Sequence, residues 1–272
     1  MNNVSPLRYP GGKTRACKVL DEVLNEHFVI GDYNNIISPF FGGGSFEFYI
    51  QNKYNMHVFA NDKFTPLYNF WKICKENKSQ LVLELNSKLG NIDKDSFQNM
   101  RSQIMSISNS LEQSIIYFII NRCSFSGATL SGGFSLESAS KRFTKSSINK
   151  IENLDLSNFT LYNLDFSEFI DKCYIETINE DNNKIANNNL MFLDPPYYLE
   201  KGSKLYGDKG NMHENFDHEK LFNCLKTKKN WIMTYNNCDY IKKLYSNYKI
   251  IETNWSYSMN KSKKSSEIII IG

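Results

Sequence analysis

The chain contains no apolar run approaching the roughly 18 residues that a membrane-crossing helix needs. Its start, Met1-Asn2-Asn3-Val4-Ser5-Pro6, lacks the basic and apolar regions of a secretion signal. A soluble, cytoplasmic protein is expected. Its six cysteines, Cys17, Cys74, Cys123, Cys173, Cys224 and Cys238, include no C-x-x-C pair, a pattern that speaks against a disulfide framework or a zinc site and predicts reduced thiols. A strong charge imbalance is missing as well, since 32 Lys and Arg against 29 Asp and Glu leave +3. Any basic surface must therefore be local. Alanine is scarce, with five against 34 asparagines, a bias that AT-rich codons produce and that speaks of the genome more than of the fold. His213 and His218 flank Glu214 and Asp217 without the H-E-x-x-H spacing of a metal-binding helix, so no metal site is expected there.

What is present is length enough, at 272 residues, to bury a sizeable core. The richest stretch is Met191-Phe192-Leu193-Asp194-Pro195-Pro196-Tyr197-Tyr198. Its apolar run reads as a buried strand, and two prolines stop it abruptly, fixing an acid at the strand's carboxyl end. In open α/β sheets that edge is where ligands bind. The chemistry that fits is attack by a planar amine. A nucleobase amino group is a poor nucleophile because its lone pair is delocalised into the ring. A carboxylate and a backbone carbonyl, here Asp194 and Pro195, can accept its two N–H bonds and redirect that lone pair. Pro196 stiffens the turn, and Tyr197 offers a face on which an extruded base can stack.

Upstream, Ser5 to Ala16 is a loop of turn formers running into an amphipathic helix that ends near Phe28. Its Gly-Gly-Lys-Thr is not a phosphate loop, because G-x-x-x-x-G-K-[ST] requires glycine where Leu7 stands. Tyr9 and Lys13 remain as candidates to touch a small ligand, the lysine through a carboxylate. A short apolar segment, residues 35–41, then meets Gly42-Gly43-Gly44-Ser45 and a helical pattern, which predicts strand, glycine turn and helix. The next strand, 56–60, ends in Asn61-Asp62, and Asp62 follows Gly44 by 18 residues. An acid so placed commonly binds ribose hydroxyls, so Gly42, Gly44 and Asp62 describe a nucleoside pocket. The missing third glycine of G-x-G-x-x-G counts against a nucleotide-dependent oxidoreductase. A second strand-end acid, Asp165, suits either an adenine amino group or the cap of a helix that begins just after it.

Between these acids, residues 67–120 show helical periodicity, followed by Asn121-Arg122-Cys123-Ser124-Phe125-Ser126-Gly127 and a polar, basic stretch. From Asn121 to Lys150, Arg122, Lys141, Arg142, Lys145 and Lys150 face a single acid, Glu137, an excess of four that suits phosphates and base edges. Residues 199–215 read as a long loop able to act as a lid. Asp217 is expected to cap a helix over 219–226, and strands are expected at 231–235, 248–253 and 267–271. The connection between the last two carries Lys261 and Lys263, which could meet DNA phosphate.

Assembled, these motifs resemble the Dam-like, α-class family of DNA adenine-N6 methyltransferases over nearly the whole length. Arg8-Tyr9-Pro10-Gly11-Gly12-Lys13 looks like its amino-terminal motif and Pro39-Phe40-Phe41-Gly42-Gly43-Gly44-Ser45 like its methyl-donor loop. Asp62, Asn121 to Gly127, Asp165 and Asp194-Pro195-Pro196-Tyr197 follow in the family's order. The resemblance implies a Rossmann-like sheet, mostly parallel with an antiparallel C-terminal edge strand, formed by residues 1–66 and 152–272. A mainly helical target-recognition domain would be inserted at 67–151. It further implies that S-adenosylmethionine is held by Tyr9, Lys13, Phe41, Gly42, Gly44, Asp62 and Asp165. A flipped adenine would be held by Asp194, Pro195, Pro196 and Tyr197. Double-stranded DNA would be contacted by Arg122, Ser124, Ser126, Lys141, Arg142, Lys145, Lys261 and Lys263. A separately acting restriction endonuclease is an implied partner, and the enzyme would be a monomer or weak dimer. Where family members that methylate GATC carry an Asn-Val-Pro-Phe-Gly-like stretch, this chain has Ser-Gly-Gly-Phe-Ser, so a different short site is expected. Cytosine-N4 or RNA amine methylation, or DNA binding without catalysis, are the competing readings. Ser usually stands in the place of Asp194 in the cytosine enzymes.

Overall fold

The computed structural model describes residues 3–9, 11–175, 188–198, 216–253 and 267–272. The expected lid at 199–215, with His213 and Glu214, and the basic connection holding Lys261 and Lys263 lie outside the described residues.

Seven strands form one sheet in the order β3-β2-β1-β4-β5-β7-β6. The strands are β1 (Asn35–Ser38), β2 (His57–Asn61), β3 (Phe159–Tyr162), β4 (Asn189–Leu193), β5 (Trp231–Asn236), β6 (Lys249–Thr253) and β7 (Glu267–Ile271). The first five pair in parallel, and β7 runs antiparallel between β5 and β6. Short apolar runs became central strands because both faces are covered, as parallel sheets require. Ile36, Val58, Leu190, Phe192, Ile232 and Ile269 enter one core. Their neighbours Ile37, Met191, Leu193, Met233, Ile268 and Ile270 enter the other, which is the period of two expected of a pleated strand. The outermost strand β6 is less buried and carries Lys249 and Glu252, charges that keep an open edge from pairing.

On the first face lie α1 (Cys17–His27) and α2 (Ser45–Tyr54). The second face is covered by α9 (Phe166–Ile175), α10 (His218–Leu225) and α11 (Asp239–Leu244). Asp217 caps α10 by accepting from the Lys220 amide at 2.8 Å, as the sequence predicts. Between β2 and β3 the chain runs through α3 (Thr65–Glu76), α4 (Lys78–Ser87), α5 (Lys94–Gln103), α6 (Ser110–Cys123), α7 (Leu136–Arg142) and α8 (Lys145–Glu152). The central helix α6 is buried nearly all round, which its apolar sequence permits. These helices do not stand apart. Phe97, Phe118 and Ile148 share one continuous core with Ile36, Val58 and Phe159 of the sheet.

Candidate active site at the carboxyl ends of β1 and β4

Strand order reverses between β1 and β4, each of which pairs with the other. At such a reversal the loops leaving neighbouring strands diverge and open a crevice. The loop after β1 is Pro39 to Gly44, and the turn after β4 is Asp194 to Tyr198, so the two stretches singled out in the sequence are brought side by side.

The glycine loop is fixed from several directions. The Phe41 amide donates to the Asn61 carbonyl at 2.8 Å, and the Gly44 amide to the Phe41 carbonyl at 2.8 Å. Trp71 of α3 donates its indole N–H to the Gly42 carbonyl at 3.0 Å. Asp62 accepts from the Gly42 amide at 3.0 Å and from Phe64 at 2.9 Å. Asp62 therefore meets Gly42 directly, with burial pushing its carboxyl up to about 6. The glycines, however, make room for the chain itself. A Cβ on Gly42, which has φ +50°, would lie 2.9 Å from the Tyr9 ring. Only glycine tolerates that conformation and that approach together. The ring of Phe41 turns into the core against Phe48, Trp71 and Phe159, so Phe41 can offer a ligand its backbone and not its ring.

Lys13 is 3 % exposed and pairs with Asp194 Oδ1 at 2.8 Å. It also donates to the Tyr197 hydroxyl at 2.9 Å and the Gly11 carbonyl at 3.0 Å. A lysine expected to meet a ligand's carboxylate is thus paired with the chain's own acid. The hydroxyl of Thr234, on β5, donates to the same Oδ1 at 2.7 Å. Among the described residues, neither Asp194 Oδ2 nor the Pro195 carbonyl accepts a hydrogen bond. Asp194 is 23 % exposed. Tyr197 stacks on Tyr235, centroids 6.0 Å apart, and Asn236 closes both backbone bonds of Tyr198, accepting at 3.1 Å and donating at 2.8 Å. Beneath this site, Glu47 on α2 is buried against Ser38 at 2.5 Å. Desolvation raises its carboxyl to about 7, and the negative charge of Asp194 adds to that rise.

Asp165 stands at the expected strand end but is engaged locally. It accepts from the Ser167 amide at 3.2 Å and pairs with Lys63 at 2.9 Å and Lys220 at 2.8 Å. Despite partial desolvation, these donors hold its carboxyl below the usual range. The helix-cap reading of Asp165 is realised. Next to it, Phe40, Phe166 and Phe216 form an aromatic group, with centroids 5.4 to 5.6 Å apart, that sequence reasoning missed. Periodicity cannot show that rings distant in sequence converge.

Two residues expected to touch DNA are engaged within the chain, Arg122 half-buried and Ser124 buried. Arg122 donates to the carbonyls of Arg142 at 2.7 Å and Pro6 at 3.2 Å, and desolvation pushes its guanidinium down to about 10. Ser124 is fully buried, and its carbonyl receives the Arg8 guanidinium at 3.4 Å. Ser126 lies in the single turn Phe125–Gly127. Lys141, Arg142 and Lys145 are exposed, as expected. Lys141 pairs with Glu137 at 3.1 Å and Lys145 reaches Asn86 at 3.1 Å. Phe125 is 66 % exposed, a second feature the sequence reading passed over. Asn121 grips Arg8 by both backbone groups, at 2.9 and 2.7 Å. Gly127, at φ +73°, has no space for a Cβ because the Arg8 carbonyl would lie 2.6 Å away. Arg8, Tyr9 and Lys13 of the amino-terminal motif therefore touch the turn after α6, the glycine loop and Asp194 in turn.

Sequence comparison decides the class. The model of the D12 class N6 adenine-specific DNA methyltransferase family matches residues 9–259. The chain belongs to this family. It is an adenine-specific DNA methyltransferase, and its substrate is DNA. It is similar to the Type II methyltransferase M.CviBI of Paramecium bursaria Chlorella virus NC1A, at 23 % identity over 89 % of this chain and 86 % of that protein. A shorter similarity, 33 % identity over 30 % of this chain and 28 % of the relative, is to the Type II methyltransferase M.MjaIII of Methanocaldococcus jannaschii. No described helix is long and apolar enough to cross a membrane.

Proposed function

We propose that this enzyme transfers the methyl group of S-adenosylmethionine to N6 of an adenine flipped out of a short, palindromic duplex DNA site. The observation that supports the reading is a pair of acceptors, Asp194 Oδ2 and the Pro195 carbonyl, that have no partner among the described residues and lie at the strand ends that carry the glycine loop. The crevice has the donor set for a zwitterionic nucleoside, with a strand-end acid in Asp62, a buried cation in Lys13 and aromatic rings in Tyr9 and Phe40. Gly42 and Gly44 supply backbone at that edge, and Asp165 stands at its rim. When bound, S-adenosylmethionine supplies an electrophilic methyl carbon on a sulfonium sulfur.

The chain's own residues do the rest. Asp194 Oδ2 and the Pro195 carbonyl accept the two amine N–H bonds and turn the nitrogen lone pair out of conjugation. Pro196 keeps that pair from reorganising, and Tyr197 takes the extruded base, a contact worth roughly 1–3 kcal/mol. Asp194 holds the proton that the methylated nitrogen sheds. Positioning carries the rate, with no covalent enzyme intermediate.

Residues 67–151 serve as the target-recognition insert. At its base, desolvation first and the positive charge of neighbouring arginines, Arg142 included, second hold the Arg8 and Arg122 guanidinium groups below their usual range, a local excess of positive charge suited to phosphate. Lys141, Arg142 and Lys145 meet the backbone, Phe125 enters a base step as an apolar wedge, and Lys261 and Lys263 add phosphate contacts from the last connection. The enzyme works on cytoplasmic DNA as a monomer or weak dimer, in a restriction-modification or stand-alone modification role. The test is methylation of a plasmid library with labelled donor, followed by mapping of modified adenines. One short symmetric motif modified at adenine is expected, and label on cytosine or on no DNA would overturn the proposal.

A further inference from the structure

Strand β5 pairs with β4 through Leu193↔Met233, where β4 ends, yet continues to Asn236. Its last residues overhang the turn that carries Asp194. Alternation puts Thr234 and Asn236 on one side of the strand and Tyr235 on the other, where its ring joins the second core. Thr234 is fully buried, and its hydroxyl lies 2.7 Å from Asp194 Oδ1 against 3.5 Å from the Leu193 carbonyl. A hydroxyl has one hydrogen to give, and the shorter, charge-assisted contact takes it. Two residues on, Asn236 holds the Tyr198 backbone by both its groups. The strand thus grips the catalytic turn at its two ends.

The terminal torsion of an aspartate is soft and nearly two-fold, so an unrestrained Asp194 could present either oxygen to the amine at either angle. Lys13 restrains it but is a cation, and a cation on the carboxylate draws away the electron density that the amine's hydrogens need. Thr234 restrains the same oxygen with a neutral donor. We propose that Thr234 is a positioning residue for methyl transfer, fixing Asp194 by Oδ1 so that Oδ2 faces the target amine. The inference rests on the role proposed above for Asp194 and assigns the strand that enforces it.

The experiment compares full-length wild type with Thr234→Ser, Thr234→Ala and Thr234→Val in single-turnover methyl transfer to a mapped duplex site. Donor and DNA dissociation constants and Tm are measured alongside. Losing a hydrogen bond to a charged group should slow transfer about 10- to 100-fold in the Ala and Val variants. Both dissociation constants should stay within about threefold of wild type, and Ser should restore most of the rate. Ala and Ser differ only in the hydroxyl, so their ratio remains informative if Val unfolds. Equal rates for Ala and Ser would overturn the role of Thr234, as would a loss confined to binding. If wild type itself methylates no adenine, the proposed function fails first, an outcome distinct from active wild type with an indifferent Thr234.

Discussion

The turns that follow β3 and β4 look alike in sequence, each placing an acid just past an apolar strand, yet they are built for different work. After β3, Asp165 is enclosed by Lys63, Lys220 and the Ser167 amide, so both its oxygens are spent on the chain. After β4, Asp194 concentrates Lys13 and Thr234 on a single oxygen and leaves the other vacant among the described residues. The difference is one of valence. A strand end supplies the place, and the unspent acceptors supply the chemistry.

The largest effect that tests this contrast is a paired truncation. Asp194→Ala should lower single-turnover methyl transfer by about 1,000-fold or more with donor affinity largely kept, because it removes an acceptor used in the transition state. Asp165→Ala should cost under about tenfold at saturating donor and act mainly on donor affinity. Comparable losses in rate would erase the distinction.

Glu47 sharpens the same contrast from below. Its folded carboxyl keeps a proton to about 7, against 4.5 for the free group, so between those values the folded state binds more protons than the unfolded. Stability from this group is complete at low pH and is lost as pH rises through about 7. Denaturant titrations should show wild type losing on the order of 3 kcal/mol across that window relative to Glu47→Gln. Asp62, raised to about 6, acts with the same sign and is common to both proteins. Parallel pH curves for wild type and the variant would show that Glu47 carries no such burden.

A smaller pair of effects separates solvent-facing basic residues from one whose donors are spent on backbone carbonyls. Truncating Lys141, Arg142 and Lys145 together should weaken DNA binding and flatten its dependence on log salt by roughly 2–3, with Tm nearly unchanged. Arg122→Ala should instead cost about 1–3 kcal/mol of stability, because the carbonyls of Arg142 and Pro6 lose a charged donor. An unchanged salt slope in the triple variant would return that surface to ordinary solvated charge.

The contrast also shows what could be read before the fold was known. Prolines and glycines are local punctuation, so the end of β4, the glycine turn and the Asp217 cap were legible from a few neighbouring residues, whereas β1 stops at Ser38 and leaves the apolar residues 39–41 to the loop. Partnership between distant residues was not. Nothing near Thr234 announces that it meets Asp194, and nothing in Arg122 or Ser124 says that their polar groups are spent on Pro6 and Arg8. The amino-terminal segment was legible as a motif, but Lys13 meeting Asp194 depends on the crevice that the strand-order reversal opens. Aromatic spacing could predict helices between β2 and β3, yet it could not show that they share their core with the sheet.

The central claim is that Asp194 touches the exocyclic amine of the target base. Its most direct test is a binding cycle, using wild type and Asp194→Ala with duplexes carrying either adenine or unsubstituted purine at the methylated position. Wild type should prefer adenine about tenfold more strongly than the variant does, equivalent to roughly 1.4 kcal/mol of coupling. The easier extrusion of purine cancels in the cycle. A variant that keeps the full wild-type preference for adenine would contradict the account.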